Sequence, residues 1–89
     1  MRSIWKYEIQ SNGISKIDMP INSIIVNIDQ QNNVLVIWVE VDLDQKKIEV
    51  RTFESYGTGY IIDDDYPRKY VGTVLINEGQ FVEHIYERF

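Results

Sequence analysis

"VLVIWVEVD", Val34–Asp42, is nine residues long and seven of them are apolar. Val, Ile and Trp are the side chains that suit a pleated surface, so the stretch reads as a strand. A strand apolar at almost every position is covered on both faces, or turns one face to a subunit interface. One small sheet does not readily cover both. Val34, Val36 and Trp38 are therefore the candidate contacts of a homo-oligomer, and symmetric dimers are the commonest assemblies.

Working outward, the flanking segments alternate instead. On the N-terminal side, "SIIVNID" (23–29) is a strand joined to Val34 by Gln31-Asn32-Asn33. Asn tolerates the left-handed conformation that such a turn requires. Earlier still, "IWKYEIQ" (4–10) sets Trp5, Tyr7 and Ile9 opposite Lys6, Glu8 and Gln10. Ser11-Asn12-Gly13 is a strong hairpin signal, with "ISKID" (14–18) as the partner strand ended by Pro20. On the C-terminal side, "KKIEVRTFESY" (46–56) sets Ile48, Val50, Thr52 and Tyr56 against Glu49, Arg51, Phe53 and Ser55. "YVGTVLI" (70–76) and "QFVEHIYERF" (80–89) form a terminal hairpin about Asn77-Glu78-Gly79. In its second strand Val82, His84 and Tyr86 share one face, and Phe81, Glu83, Ile85 and Glu87 the other.

There is no alanine, and Leu is scarce beside Ile, which argues against helix. The expectation is one all-β domain over residues 1–89, a small antiparallel sandwich or partly open barrel of about six or seven strands with little or no helix.

Eighty-nine residues hold one core. No cysteine is present, which removes disulfides, thiolate metal sites and thiol nucleophiles and fits a reducing cytoplasm. The opening "MRSIWKYEIQ" has charges in its apolar run and does not read as a signal peptide. No stretch approaches the ~20 apolar residues of a membrane helix. A net charge of −5 repels long polyanions and argues against non-specific nucleic-acid binding, while leaving room for a small anion held locally.

Chemistry concentrates in "RTFESYGTGYIIDDDYPRKY", Arg51–Tyr70. Gly57-Thr58-Gly59 lacks the third glycine of a dinucleotide fingerprint and the Gly-Lys-Ser/Thr of a P-loop. It is either a bend that needs positive φ or a small nest of N–H groups for an anion. Asp63-Asp64-Asp65 lacks the spaced order of a calcium loop and reads as a solvated loop, so no metal is assigned. His84 is the only histidine; without a second ligand or a nucleophile elbow it reads as a hydrogen-bonded, half-buried residue, and no enzyme is expected. Arg51 shares a face with Phe53, a pairing that suits a phosphate with a stacked base, or else a cross-strand ion pair with an acid. Arg68 and Lys69 add charge from the adjoining loop. Tyr56, Tyr60 and other aromatics exceed what so small a core requires and are expected to line a groove or an interface.

"IWKYEI", "IDMP", "VLVIWVEVD", "RTFESYGTGYIIDDD", "YVGT" and "FVEHIYE", in this order and spacing, resemble a small domain family of bacteriophages and their bacterial hosts. The likeness spans essentially the whole chain, and "RTFESYGTG" is its most specific part. Glu83 departs from it, standing where members often carry a more apolar residue before the histidine. The resemblance implies a phage or prophage origin and action in the host cytoplasm. By context it is similar to the phage sponge proteins that sequester nucleotide immune signals. That context implies a non-enzymatic binder of a small phosphorylated ligand, such as a cyclic dinucleotide, without cofactor. Its site would comprise Arg51, Phe53, Tyr56, Gly57, Thr58, Gly59, Tyr60, Arg68, Lys69 and His84. The rival expectation is a protein–protein module that inhibits a host protein or serves as a phage accessory protein.

Overall fold

The computed structural model describes every residue from Met1 to Phe89. It contains strands and turns only: β1 (Arg2–Glu8), β2 (Ile14–Pro20), β3 (Ile24–Gln31), β4 (Val34–Asp42), β5 (Ile48–Gly57), β6 (Arg68–Ile76) and β7 (Phe81–Arg88). No helix is long and apolar enough to cross a membrane. All pairings are antiparallel and make two sheets, sheet A in the order β1-β4-β3 and sheet B in the order β2-β5-β7-β6. The all-β sandwich that the alternation implies is what forms.

The strand faces follow the period of two. In sheet A, Leu35, Ile37, Val39 and Val41 of β4 point inward and are buried, joined by Ile25 and Ile28 of β3 and Tyr7 of β1. In sheet B, Met19, Phe53, Val74, Ile76 and Ile85 meet them, with Phe53 the largest fully buried side chain. Stacked sheets lie about 10 Å apart, which accounts for the flat molecule, 41 × 32 × 15 Å over its Cα atoms. Along one side the edge strands β3 and β6 pack on each other. There Gly72 sits under Ile28, whose Cγ2 would lie only 2.7 Å from a Cβ at that position. Each of these two strands carries a bulge, at Ile25/Asn27 and at Tyr70/Gly72.

Turn chemistry matches the asparagines. Asn32 and Asn33 have φ of 53° and 64°, the paired left-handed conformations of a tight hairpin turn joining β3 to β4. Asn77 and Glu78, at 54° and 58°, begin the β6–β7 turn in the same way.

The Asn12-Gly13 turn behaves differently from the hairpin expected there. β1 lies in sheet A and β2 in sheet B, so the turn crosses between layers. The reason is tertiary. Ser11 Oγ and the Asn12 N–H both donate to Glu83 on β7, and Gly13 O accepts from Ser55 N at 2.9 Å. β2 is drawn onto β5, and β1 pairs instead with β4. The near-apolar β4 is central in sheet A. Val36, on its outer face, is already covered within one chain at 2% exposure, which leaves Val34 and Trp38 as its accessible apolar positions.

Candidate functional site

Arg51 lies on the inner face of β5 toward one end of the sandwich. It is opposite Ile17 and on the Phe53 face, as the alternation requires. Its guanidinium is not free. Nε and Nη2 grip Glu87 Oε2 and Oε1 at 2.6 and 2.8 Å, a forked carboxylate pair. Nη1 donates to the Ser23 carbonyl at 2.5 Å and approaches Met19 Sδ at 3.7 Å. The Glu87 hydrogen bonds, working against burial, raise the Arg51 pKa further above its already high ordinary value. Of the two readings of Arg51, the cross-strand ion pair is the one that forms.

A half-open cleft of about 680 Å³ adjoins this pair. Asn22, Ser23, Glu49, Arg51, Lys69 and Glu87 contribute its polar lining, with Phe89 at one side. A smaller hollow of about 320 Å³ shares Ser23, Arg51, Lys69 and Glu87 and adds Tyr70 and Ile24. Lys69 is exposed and makes no ion pair.

A second network covers the outer face of sheet B. Glu54, 1% exposed, is the acceptor at its centre. Arg68 Nε donates to Glu54 Oε2 at 2.9 Å, Arg88 Nε at 2.6 Å, and the Tyr56 hydroxyl donates to Oε1. Burial on its own pushes Glu54 up, but Arg68, Tyr56 and Arg88 together hold it below the ordinary carboxylate value. Burial and the Glu54 charge raise the Tyr56 phenol. Arg68 also binds Asp63 Oδ1 at 2.8 Å and the Asp63 carbonyl at 2.6 Å, which pins the long 58–67 connection across the sheet. Tyr66 stacks on the Arg88 guanidinium with 3.8 Å between Cζ and the ring centroid. Asp63 is thereby an ion-pair partner, and the hydrogen bonds from Arg68 lower its pKa.

A third cluster lies at the far end of β5. His84 is half-buried, with Nε2 2.8 Å from Thr58 Oγ1 and Nδ1 3.1 Å from Thr73 Oγ1, which in turn meets the Tyr70 hydroxyl at 2.5 Å. The Tyr56, Tyr86 and Tyr70 rings run edge-on beside it. Gly59, at φ +88° with open space around it, and the Tyr60 N–H bonded to Gly57 O at 3.0 Å make a tight turn. The Gly57 N–H is already given to Asn12 Oδ1 at 2.9 Å. The bend reading of the glycines is the observed one. A hollow of about 260 Å³ beside it is lined by Asn12, Gly57, Thr58, Tyr60, Phe81 and Glu83, among others.

The single site expected from the sequence is thus divided. Arg51 and Gly57 are six residues apart on one extended strand, about 20 Å at ~3.3 Å per residue, so they cannot close on one small ligand. Phe53 is fully buried between the sheets and cannot stack a base. Arg68 is committed to Glu54 and Asp63, and Tyr56 to Glu54. Arg51 and Lys69 do meet at one cleft, while Thr58 and His84 meet elsewhere.

Sequence reasoning missed the three inward or buried carboxylates that organise all this: Glu54, Glu83 and Glu87. The signal was present for two of them. Glu83 and Glu87 alternate with Ile85 on what proves to be the core face of β7, an unusual place for acids unless each has partners.

Fold and geometry together define a seven-stranded, two-sheet sandwich with a polar cleft at one end and its arginines held in carboxylate networks. The chain belongs to the family described as Domain of unknown function (DUF7352), whose model matches residues 1–89. Comparison with curated proteins and with solved structures gives no match.

Proposed function

We propose that the protein acts by binding, without chemistry, and that it sequesters a small phosphorylated ligand of the nucleotide class in the cleft beside Arg51 and Lys69. The observation that carries this reading is the cleft itself. At about 680 Å³ it falls within the ~300–1,000 Å³ typical of small-molecule sites. Glu87 and Ser23 hold the Arg51 guanidinium rigidly and leave one Nη2 hydrogen unassigned, while Lys69 brings an uncompensated charge to the rim. A phage setting, with a cyclic nucleotide of host defence as the captured signal in the host cytoplasm, is what the family resemblance adds.

Calorimetry against cyclic dinucleotides and ADP-ribose derivatives tests it. A dissociation constant weaker than ~100 μM for both classes removes the reading, being too weak for sequestration. Where binding is found, Lys69→Glu is expected to weaken it about tenfold to a hundredfold, the worth of a hydrogen bond to a charged group.

A second reading, a protein–protein module acting on a host protein or as a phage accessory, is favoured by a different observation. Tyr60 and Ile61, at 60% and 90% exposure, stand on the 58–67 connection that Arg68 pins to the sheet. A held loop with apolar side chains outward is a docking feature. Affinity capture from host lysate separates the two. A stoichiometric protein lost on Ile61→Asp supports docking, and a nucleotide released on denaturation supports capture.

A further inference from the structure

A sandwich of two open sheets has four edge strands, and exposed edges invite pairing with other chains. Three of the four are blunted here. β3 and β6 are bulged and pack on each other, and β2 ends in Pro20. β1 has no bulge and no proline. It runs seven residues in regular register with β4, and Ile4 and Trp5 on its two faces are 57% and 42% exposed.

The backbone of β1 shows which groups are unpaired. Met1 O accepts from Leu43 N, and Ile9 N donates to Leu35 O, so the odd-numbered residues turn their N–H and C=O groups toward β4. Arg2, Ile4, Lys6 and Glu8 therefore turn theirs away from the sheet, where no strand meets them. A second strand laid antiparallel on this edge must match even with even positions.

When that second strand is another β1, centres on Ser3 or Tyr7 pair only two of its outward residues, so the two-fold lies at Ile4, Trp5 or Lys6. Centring the two-fold on Ile4 sets Arg2 against Lys6, and centring it on Lys6 sets Lys6 against itself. Both place like charges opposite one another, which destabilises a strand pair. Centring it on Trp5 sets Arg2 opposite Glu8 of the partner chain, twice over, and Ile4 opposite the Lys6 stem. Glu8 makes no ion pair within its own chain, while Arg2 holds Glu40 Oε1 through Nε at 3.1 Å and would offer Glu8 its remaining guanidinium donors. The Trp5 rings then meet on the axis. We infer that β1 is a self-pairing edge, and that two copies of this chain join through it about Trp5 into one continuous six-stranded sheet, β3-β4-β1 continued by β1-β4-β3. Roughly eight new backbone hydrogen bonds form, two for each hydrogen-bonded pair. The interface is isologous and closed, so the assembly stops at two. This inference does not rest on the ligand reading of the cleft.

Sedimentation of the full chain tests the assembly, and single cysteines test the register, since the chain has none of its own. The expected mass is twice the 10.5 kDa of one chain. Trp5→Cys is expected to form a disulfide-linked dimer on mild oxidation, because facing residues of a non-hydrogen-bonded pair lie within disulfide reach. Ile4→Cys and Lys6→Cys, which face themselves only in the two rejected registers, are expected not to. Glu8→Arg should weaken association at least tenfold, and adding Arg2→Glu should restore it. Ile4→Pro removes an outward N–H that β4 does not use and should yield monomers. A wild-type chain that stays monomeric at roughly 100 μM overturns the inference, and so does cross-linking through Ile4→Cys or Lys6→Cys in place of Trp5→Cys.

Discussion

Glu54 and Glu83 are buried carboxylates solved in two ways. Glu54 is neutralised by Arg68 and Arg88 on the outer face of sheet B. Glu83, 2% exposed, has no cation and is held by Ser11, the Asn12 N–H at 2.7 Å and Ser55 Oγ at 2.6 Å. The first makes the fold sensitive to acid. Glu54 in the native state lies below its ordinary value of 4.5, so the unfolded chain takes up the proton more readily. The stabilisation is complete above pH about 4.5 and is lost as pH falls through the depressed native value. Urea denaturation across pH 3 to 7 is expected to show this acid limb in the wild type and a flatter one in Glu54→Gln. That variant should also be less stable at neutral pH by about 3 kcal/mol, because Arg88 loses its carboxylate partner and Arg68 keeps only Asp63. Glu83→Ala leaves the buried Ser55 hydroxyl and the part-buried Asn12 N–H and Ser11 hydroxyl without their acceptor and should cost about 2–3 kcal/mol. Amide exchange distinguishes its action from a general loss, with protection at Asn12 falling first.

At the scale of the element, alternation told the truth about faces and left open which face would be the core. Residues 48–56 display Arg51 with Phe53 and Thr52 with Tyr56, as the period of two demands. Which side is buried depends on the sheet laid over it. The Asn32-Asn33 turn was legible because two left-handed residues in succession specify a hairpin. Asn12-Gly13 has similar local chemistry with φ of 48° at Asn12, yet it joins two sheets, since Glu83 claims the Asn12 N–H and the Ser11 hydroxyl from across the chain. The β3–β6 seam rests on Gly72. Gly72→Ala places a methyl where Ile28 Cγ2 already lies, and Ile is stiff at its branch point. The expected loss is about 1–3 kcal/mol in equilibrium unfolding. Ile28→Leu, which lacks the branch methyl, should recover part of it in the double variant.

For the molecule as a whole, three of the five strand pairings are remote in sequence: β1 with β4, β2 with β5, β5 with β7. Only β3–β4 and β6–β7 are local hairpins. Long loops must close before such pairings are rewarded, so refolding is expected in the millisecond-to-second range, followed by Trp5 and Trp38 fluorescence in stopped flow. A microsecond rate would contradict the remote pairings. The amino-acid sequence by itself determined the strands, their faces, the asparagine turns and the all-β class, because a period of two and a positive φ are properties of a few neighbouring residues. Only the tertiary structure decided which strands share a sheet, that Arg51 spends its charge on Glu87, and that the glycine turn lies a strand's length from the cleft. Those outcomes depend on which distant segment arrives at an edge, and no local pattern carries the address of its partner.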